Sequence, residues 1–423
     1  MLPVNSGGHT AYQTFVLENL RKYYPDPTVF AKSTWDIIER FWNLDLSYTD
    51  ELLRSKYSVF GPKPRTPSCM QRSYLLSIDF KVHSLTDWAA QLKINPLYAI
   101  LSGFQFGDTP GVGTFYDFLD RLWDSDSDNL SPHIHPVKKK KVKKPKQKGD
   151  KAEPIEKVTV EQLFQSMEHS SFSIDEQPYA SLFKIYDHEF LSVSISKGLI
   201  DISNLSIAGD GMPVTTSARE RKHRICECSK NGITSCHCDR YFSQPDCDIG
   251  YDSSRECFYF GYDLYMLVAA NSESDLPVFP LLNPASKHDS LGFLETWFRM
   301  KAFLPDLHVS KWLLDSAHDA MPYYIYCRKN HIQPFIDLNV KRGIKVKYKN
   351  DFTIGEDGVP VCKAGRKMRH DGSEPSKKRL KFRCPLASRK YGCSCTHPCS
   401  DSKYGRTVHL AMKDNPRLIN FPP

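Results

Sequence analysis

The sequence lacks any apolar run long enough to cross a lipid bilayer, which argues against a membrane-spanning protein. Its first residues, MLPVNSGGHTAYQ, have neither the basic start nor the apolar core of a secretory signal. We therefore expect the chain to work in the cytoplasm, or in a nucleus if the cell has one, and not at a membrane.

A large excess of charge of one sign is also lacking. The chain has 57 Lys and Arg residues against 49 Asp and Glu residues, a formal net charge of +8. This balance permits a polyanionic partner without requiring one. Cysteine, in contrast, is not scarce: the chain has 13, an odd number. Without a secretory signal, metal binding or buried thiols are better interpretations than a disulfide framework.

Residues up to about 130 have the spacing of helices. Apolar residues recur every three or four positions in Leu97–Phe104 and again in Phe115–Leu122, on either side of GDTPGVG. Thr114 and Asp117 resemble a capping box and predict that the second helix starts there. Such a pair of helices is either a DNA-reading helix-turn-helix or an αα-hairpin within a helical domain.

A lysine-rich segment follows. Val137–Lys151 contains nine lysines in fifteen residues. Because like charges repel and lysine cannot form a core, this pattern predicts a flexible linker between two domains. A linker with this charge would also strengthen binding to nucleic acid phosphates without regard to sequence.

The region after residue 158 predicts a mixed α/β domain. Two helical segments come first, and then strand and helix patterns follow in the order β-β-β-α-β-α-β. Strands followed by alternating helices and strands are typical of a mixed sheet covered by helices.

Two apolar strand patterns in this region end on an aspartate. LSIAGDGMPV places Asp210 between Gly209 and Gly211, and VSKWLLDSAHD ends its strand at Asp315. If the strands are neighbours, the two carboxylates meet and require a proton or a cation between them. Hard oxygen ligands suit Mg²⁺ or Mn²⁺, and the glycines would let a nucleic acid backbone approach closely. Either aspartate alone could equally be a turn or capping residue.

With these blocks in view, the sequence resembles the DDE transposases of bacterial insertion sequences. The resemblance rests on IAGDGMPV, on YFGYDLYMLVAA and on LLDSAHDAMPYYIYCRKNHIQPFIDLN. It implies a ribonuclease H-like catalytic domain in which Asp210 and Asp315 are catalytic and bind Mg²⁺ or Mn²⁺. Asp319 matches a frequent family residue, while His318 stands where the family usually has an aromatic residue.

The resemblance also implies a domain organisation and partners. The expected regions are a helical DNA-binding region at 1–130, the linker at 131–157, the catalytic domain at 158–340 and a Cys-containing, basic, β-rich insertion with the end of the catalytic domain at 341–423. The implied partners are the terminal repeats of the element and target DNA, bound by a homodimer associated with the bacterial nucleoid.

Two clusters of cysteines are candidate zinc sites. The first consists of Cys226, Cys228, Cys236 and Cys238. Four thiolates within thirteen residues could enclose a tetrahedral Zn²⁺, but a C-x-C spacing strains the chelate, so reduced thiols remain the alternative. The second cluster consists of Cys384, Cys393, Cys395, Cys399 and His397.

The family completes its site with a Glu on a helix after the insertion. After Asp315 this chain has only Glu356 and Glu374, both among Gly, Pro and charged residues. We therefore expect a chain cut off before that Glu, unable to carry out strand transfer alone. Two alternatives remain open: a noncatalytic DNA-binding protein derived from a transposase, and a zinc-stabilised regulator.

Overall fold

The protein is described by a computed structural model, whose described part covers these residues: 8–58, 60–61, 63–124, 160–216, 223–224, 228, 230–233, 240–241, 247–339, 352–388, 392–396, 399–400, 402 and 404–420. The lysine-rich linker, Val137–Lys151, lies outside these residues. Within them, no helix combines the length and apolar character needed to cross a bilayer.

Ten α-helices precede the first strand of the described residues, and two more alternate with later strands. They are α1 Gly8–Tyr23, α2 Lys32–Asn43, α3 Ser47–Leu52, α4 Pro67–Asp79, α5 Leu85–Ile94, α6 Pro96–Ser102, α7 Val112–Leu122, α8 Val160–Glu168, α9 Ala180–Tyr186, α10 Ser192–Ser196, α11 Asp289–Phe303 and α12 Met321–Lys329.

The strands form one large sheet and several small ones. They are β1 Leu205–Thr215, β2 His223–Arg224, β3 Arg240–Tyr241, β4 Asp248–Asp252, β5 Cys257–Ala269, β6 Leu276–Pro284, β7 Val309–Leu314, β8 Gln333–Ile336, β9 Phe352–Ile354, β10 Pro360–Cys362, β11 Arg369–Glu374, β12 Arg379–Arg383, β13 Ala387–Ser388, β14 Gly392–Cys393 and β15 Thr407–Ala411.

The chain divides into two compact units. The first contains 1–138, 172–199 and 218–246, and the second contains 139–171, 200–217 and 247–423. Residues 172–199, which the sequence-based boundary at 158 assigned to the catalytic domain, thus group with the N-terminal helices. Domain assignment from sequence could not foresee this, because the grouping depends on contacts between residues far apart in the chain.

A buried polar network ties α9 and the π-helical turn after it to the N-terminal helices. Glu189 accepts hydrogen bonds at 2.9 Å from the backbone and the hydroxyl of Thr49, and another from Gln71 at 2.9 Å. Burial raises the pKa of Glu189, and these donors oppose the rise. Ile185 also belongs to the apolar core of this unit.

The helices predicted around GDTPGVG are confirmed, and their predicted apolar faces lie in the core of the first unit. The predicted start of the second helix is wrong. α7 begins at Val112 after Gly111, so Thr114 lies inside its first turn and caps nothing. α6 packs against α1, α4 and α5, whereas α7 packs against α4 and α5.

The second unit is built on a six-stranded mixed sheet, which confirms the predicted mixed α/β architecture. Its order is β4-β5-β1-β7-β8, with β6 also pairing with β5. β5 runs antiparallel to β1, β4 and β6, whereas β1, β7 and β8 are parallel. β4 was not predicted, because its five residues, DIGYD, carry too weak an apolar pattern.

Aromatic packing fixes the helices to this sheet. Trp312 on β7 is fully buried and meets Phe293 and Trp297 of α11 at centroid distances of 4.8 Å. It also stacks on Tyr326 of α12 at 5.5 Å. Both helices therefore pack on the same buried residue of a central strand.

The segment from 352 to 420 is rich in short strands, as predicted. β9 pairs with β10, β11-β12-β15 form a three-stranded sheet, and β13 pairs with β14. A small core of Cys362, Met368, Phe382 and Val408 holds this region together.

Gly261 is a position where a side chain would collide with the backbone. A Cβ there would lie well inside contact distance of the Val214 carbonyl oxygen on β1. We expect Gly261→Ala to destabilise the sheet by about 3 kcal/mol or more, measured by urea denaturation. Gly113→Ala is the control, because a Cβ there meets nothing within 4 Å. Equal stability of the two variants would contradict the described register.

Candidate metal site

Asp210 and Asp315 lie on neighbouring parallel strands. The ladder between β1 and β7 pairs Ile207 with Trp312 and Ala208 with Leu313. Each aspartate follows the last pair of this parallel ladder by two positions, so the two are level across it, about 4.8 Å being the usual distance between neighbouring strands. Asp315 comes directly after β7, as predicted, but Asp210 lies inside β1, which continues to Thr215 paired with β5. The prediction that the first strand ends at Asp210 is therefore wrong, because pairing with β5 extends the strand beyond it.

The Asp315 carboxylate is oriented by two donors. Its Oδ1 accepts a hydrogen bond from the Ala317 backbone at 3.1 Å and thereby caps the short 3₁₀ turn Ser316–His318. The same oxygen lies 2.6 Å from Nδ1 of His318. The side chain of Asp315 is still 53% exposed, so its other oxygen can face a ligand.

His318 is the middle member of a buried hydrogen-bonded chain. Its side chain is 1% exposed, and its Nε2 lies 3.1 Å from the hydroxyl of Tyr265 on β5. With Nδ1–H donating to Asp315, Nε2 accepts from the Tyr265 hydroxyl, which assigns the tautomer from the geometry. Burial raises the pKa of Tyr265 well above its ordinary value, so the hydroxyl keeps its proton. The sequence interpretation treated His318 only as a departure from the family pattern.

Two further aspartates, which the sequence analysis missed, lie beside Asp210. Asp263 is on β5 opposite Pro213, and Asp289 is the first residue of α11. A Cβ added to Gly211 would lie 2.8 Å and 3.0 Å from the two oxygens of Asp263 and 3.1 Å from Asp289 Oδ1. An aspartate within the apolar run YFGYDLYML was the signal that could have found Asp263, because a charge is seldom buried there without a reason.

The glycines beside Asp210 serve the packing of the protein itself. Around a Cβ at Gly209 the nearest atoms belong to Leu267 and Tyr265, and at Gly211 they belong to the two aspartates. The expectation that these glycines leave room for a nucleic acid backbone is therefore wrong. They are small because side chains of β5 and α11 already fill that space.

The carboxylates influence one another electrostatically. Burial, followed by the charges of Asp289 and Asp210, raises the pKa of Asp263 to about 7, while Lys287 opposes the rise. Burial also raises the pKa of Asp289, to which the charges of Asp315 and Asp210 add. The four aspartates are therefore close enough to influence one another's ionisation.

The carboxylate oxygens of Asp210 and Asp315 are the atoms that could bind a divalent metal ion. Across the described ranges, no three His, Cys, Asp or Glu side chains converge on one point as ligands. Mg²⁺ and Mn²⁺, however, are commonly held by one or two carboxylates together with water and substrate phosphates. Asp210 and Asp315 provide such a pair, and the site fits a hard cation better than a soft one.

The other candidate residues have structural partners. Asp319 accepts from Tyr324 at 2.9 Å, from the Asn339 backbone at 2.7 Å and from Arg417. The carboxylate of Glu374 is held by Arg379 at 2.6 Å and lies 3.3 Å from His409, so it is not a substitute for the family's Glu.

The predicted zinc clusters receive no support in the described part of the chain. Of the first cluster, Cys228 alone is described; Cys226, Cys236 and Cys238 lie outside the described residues. In the second cluster, His397 and the side chain of Cys393 are likewise outside. Cys384 is buried, and Cys395 and Cys399 are partly buried.

Breaking the buried hydrogen-bonded chain from Tyr265 through His318 to Asp315 should lower the stability of the protein. Tyr265→Phe leaves Nε2 of His318 buried without its partner, so we expect a loss of about 1–3 kcal/mol in the free energy of unfolding. Tyr251→Phe is the matched control, because Tyr251 is 55% exposed and should change stability by less than about 0.5 kcal/mol. Thermal denaturation of both variants measures the difference, and equal values would count against the hydrogen bond.

Comparisons with family models, with curated proteins and with solved structures found no match to this chain.

Proposed function

We propose that this chain is a DNA transposase-type protein. Its N-terminal helical region binds the DNA ends of a mobile element, as a homodimer on DNA in the bacterial cytoplasm. Its mixed α/β unit is a ribonuclease H-like domain that uses a divalent metal ion to cleave a phosphodiester bond. Transfer of the freed 3′ end to target DNA would be a second step, which we do not assign to this chain alone.

The observation that carries the proposal is the placement of Asp210 and Asp315. They stand level on the parallel neighbours β1 and β7, Asp210 within β1 and Asp315 directly after β7, in a mixed sheet of order β4-β5-β1-β7-β8. The resemblance of the Asp blocks in the sequence agrees with this arrangement.

Each side chain has a distinct task in this proposal. Asp210 and Asp315 would hold the ion, which when bound supplies Lewis-acid stabilisation of the phosphodiester oxygens. His318 keeps the Asp315 carboxylate in one orientation, and the buried Tyr265 hydroxyl keeps His318 in the tautomer that donates to Asp315. Tyr265 and His318 are therefore positioning residues, and the aspartates are the catalytic ones.

The runner-up, a noncatalytic DNA-binding protein derived from a transposase, is favoured by one observation. Glu374 is held in salt bridges within the three-stranded sheet, so the third acidic residue that the family resemblance implies is not supplied from there. For this reason our proposal does not include strand transfer by this chain alone.

The test is an assay with double-stranded DNA that carries the terminal repeats flanking the coding region. With Mn²⁺, we expect a protein–DNA complex and slow nicking at the repeat end, without joining to target DNA. Complex formation without any Mn²⁺-dependent nicking would favour the runner-up. The absence of both DNA binding and nicking would overturn the proposal.

A further inference from the structure

We propose that Asp263 and Asp289 form a second pair of carboxylate ligands, which holds a Mg²⁺ or Mn²⁺ ion beside Gly211. The site is next to Asp210 but on different elements, since Asp263 comes from β5 and Asp289 from the start of α11. Its role in DNA cleavage rests on the proposed function. Its existence as a metal site does not.

The geometry converges on one small space. Both oxygens of Asp263 lie within 3.0 Å of the point that a Gly211 Cβ would occupy, and Asp289 Oδ1 lies 3.1 Å from the same point. Any side chain at position 211 would collide with these oxygens. Glycine at position 211 therefore lets the two carboxylates approach each other.

One carboxylate oxygen of Asp263 is buried without a hydrogen-bond partner among the described residues. The residue is only 6% exposed, and its Oδ2 has no hydrogen-bond partner within the described part of the protein. Burying an ionised carboxylate without compensation is strongly unfavourable. Asn283, its neighbour across β5 and β6, also has a buried Nδ2 without a partner in the described ranges. Two orphaned polar groups of neighbouring residues indicate a missing ligand.

Neighbouring positive charge does not already fill this role. Lys287 is the cation that acts on Asp263, but its ammonium group is bound to Asn283 Oδ1 at 3.0 Å and to Glu295. The carboxylates of Asp263 and Asp289 both lie against Gly211. Two like charges so close together are stable only with a cation or a shared proton between them. A hydrated divalent ion satisfies both carboxylates.

The donor atoms of Asp263 and Asp289 determine which metal ion the site prefers. The site offers carboxylate oxygens and an amide. Two imidazoles, those of His288 and His318, act electrostatically on Asp289, but their Nδ1 atoms contact Ser290 and Asp315 instead. Hard oxygen donors suit Mg²⁺ and Mn²⁺ and do not suit ions that prefer sulfur. Two protein carboxylates are the usual number for these ions, whose remaining positions are taken by water and phosphate oxygens.

The test is direct measurement of Mn²⁺ binding to the full chain at pH 7.5 by electron paramagnetic resonance of the free ion. We expect Asp263→Asn and Asp289→Asn each to weaken Mn²⁺ binding at this site at least tenfold. Gly211→Ala should weaken it comparably without changing any charge, because its methyl group would force the carboxylates of Asp263 and Asp289 away from their positions.

Two matched controls separate the site from general damage. Asp252→Asn removes a carboxylate that is also buried but is bonded to Ser254 and to the Arg255 backbone, so Mn²⁺ binding should not change. Gly209→Ala adds the same methyl group two residues earlier, against Leu267 and Tyr265 instead of the carboxylates. Circular dichroism verifies folding before binding is compared.

The outcomes of this test and of the nicking assay are distinguishable. Mn²⁺ affinity that is unchanged in folded Asp263→Asn and Gly211→Ala, or no Mn²⁺ binding by the unaltered chain, overturns the inference and indicates a shared proton instead. Loss of Mn²⁺ binding in these variants supports the site even if the unaltered chain never nicks DNA. In that case the proposed function fails and the metal site stands.

Discussion

Replacing Asp210 or Asp315 by Asn is expected to lower the rate of Mn²⁺-dependent nicking by about 10³-fold. An amide keeps the size of the side chain but loses the negative charge that holds the ion. Because both residues would bind the same ion, the double variant should be little worse than either single variant. The measurement is the initial rate of nicking on end-labelled DNA that carries the terminal repeat.

The control for this experiment is Asp252→Asn, which should nick DNA at the unaltered rate. Binding of the same DNA measured by gel retardation should be retained in every variant, since the aspartates are not assigned to DNA binding. Nicking that persists in Asp210→Asn and Asp315→Asn would mean that a contaminating nuclease or another site is responsible.

The metal-free protein is expected to lose stability as the pH rises from about 4 to 7, and Asp263 is the cause. Burial and the charges of Asp289 and Asp210 raise its pKa from 3.8 to about 7 in the folded state. Between these values the unfolded chain releases the proton and the folded chain retains it. Unfolding is therefore increasingly favoured, by an amount on the order of 4 kcal/mol once the pH exceeds 7.

Asp263→Asn should remove this loss of stability with rising pH. In EDTA the variant should match the unaltered protein near pH 4 and become the more stable of the two as the pH approaches 7. Urea denaturation at several pH values measures both. Addition of Mn²⁺ should restore stability to the unaltered protein but not to the variant. Parallel stability curves in EDTA would show that Asp263 is not a buried, unpaired carboxylate.

The sequence predicted the sheet because its pattern is local. β1, β5, β6, β7 and β8 each have apolar or β-branched runs of the right length, and α11 and α12 lie between them with helical spacing. The order of these elements allowed Asp210 and Asp315 to lie on adjacent strands, and the structure places them there. The aspartate after β7 was visible in the chain, whereas β1 continues past Asp210 to Thr215.

The partners of those aspartates were not predictable in the same way. Asp263 meets Gly211 only because of the antiparallel register between β1 and β5, and Tyr265 reaches His318 across a separation of 53 residues. A shift of one residue in that register would turn both side chains to the other face. Registers of this kind are set by the packed sheet and are not written in any short motif.

The N-terminal unit shows a similar limit. Its apolar faces were visible as spacing, but the start of α7 at Val112 instead of Thr114 was not. A capping box is a weak signal when glycine and proline precede it, because Gly111 can serve as the N-cap without any side chain. Helix existence was therefore predictable and the helix boundary was not.

The most direct test of the central claim is a crystal structure of the chain soaked in Mn²⁺, with the ion located by its anomalous scattering. The account predicts a peak within about 2.5 Å of one carboxylate oxygen of Asp210 and one of Asp315. A well-ordered sheet with no peak at this strand end, or with carboxylates too far apart to share an ion, would contradict it.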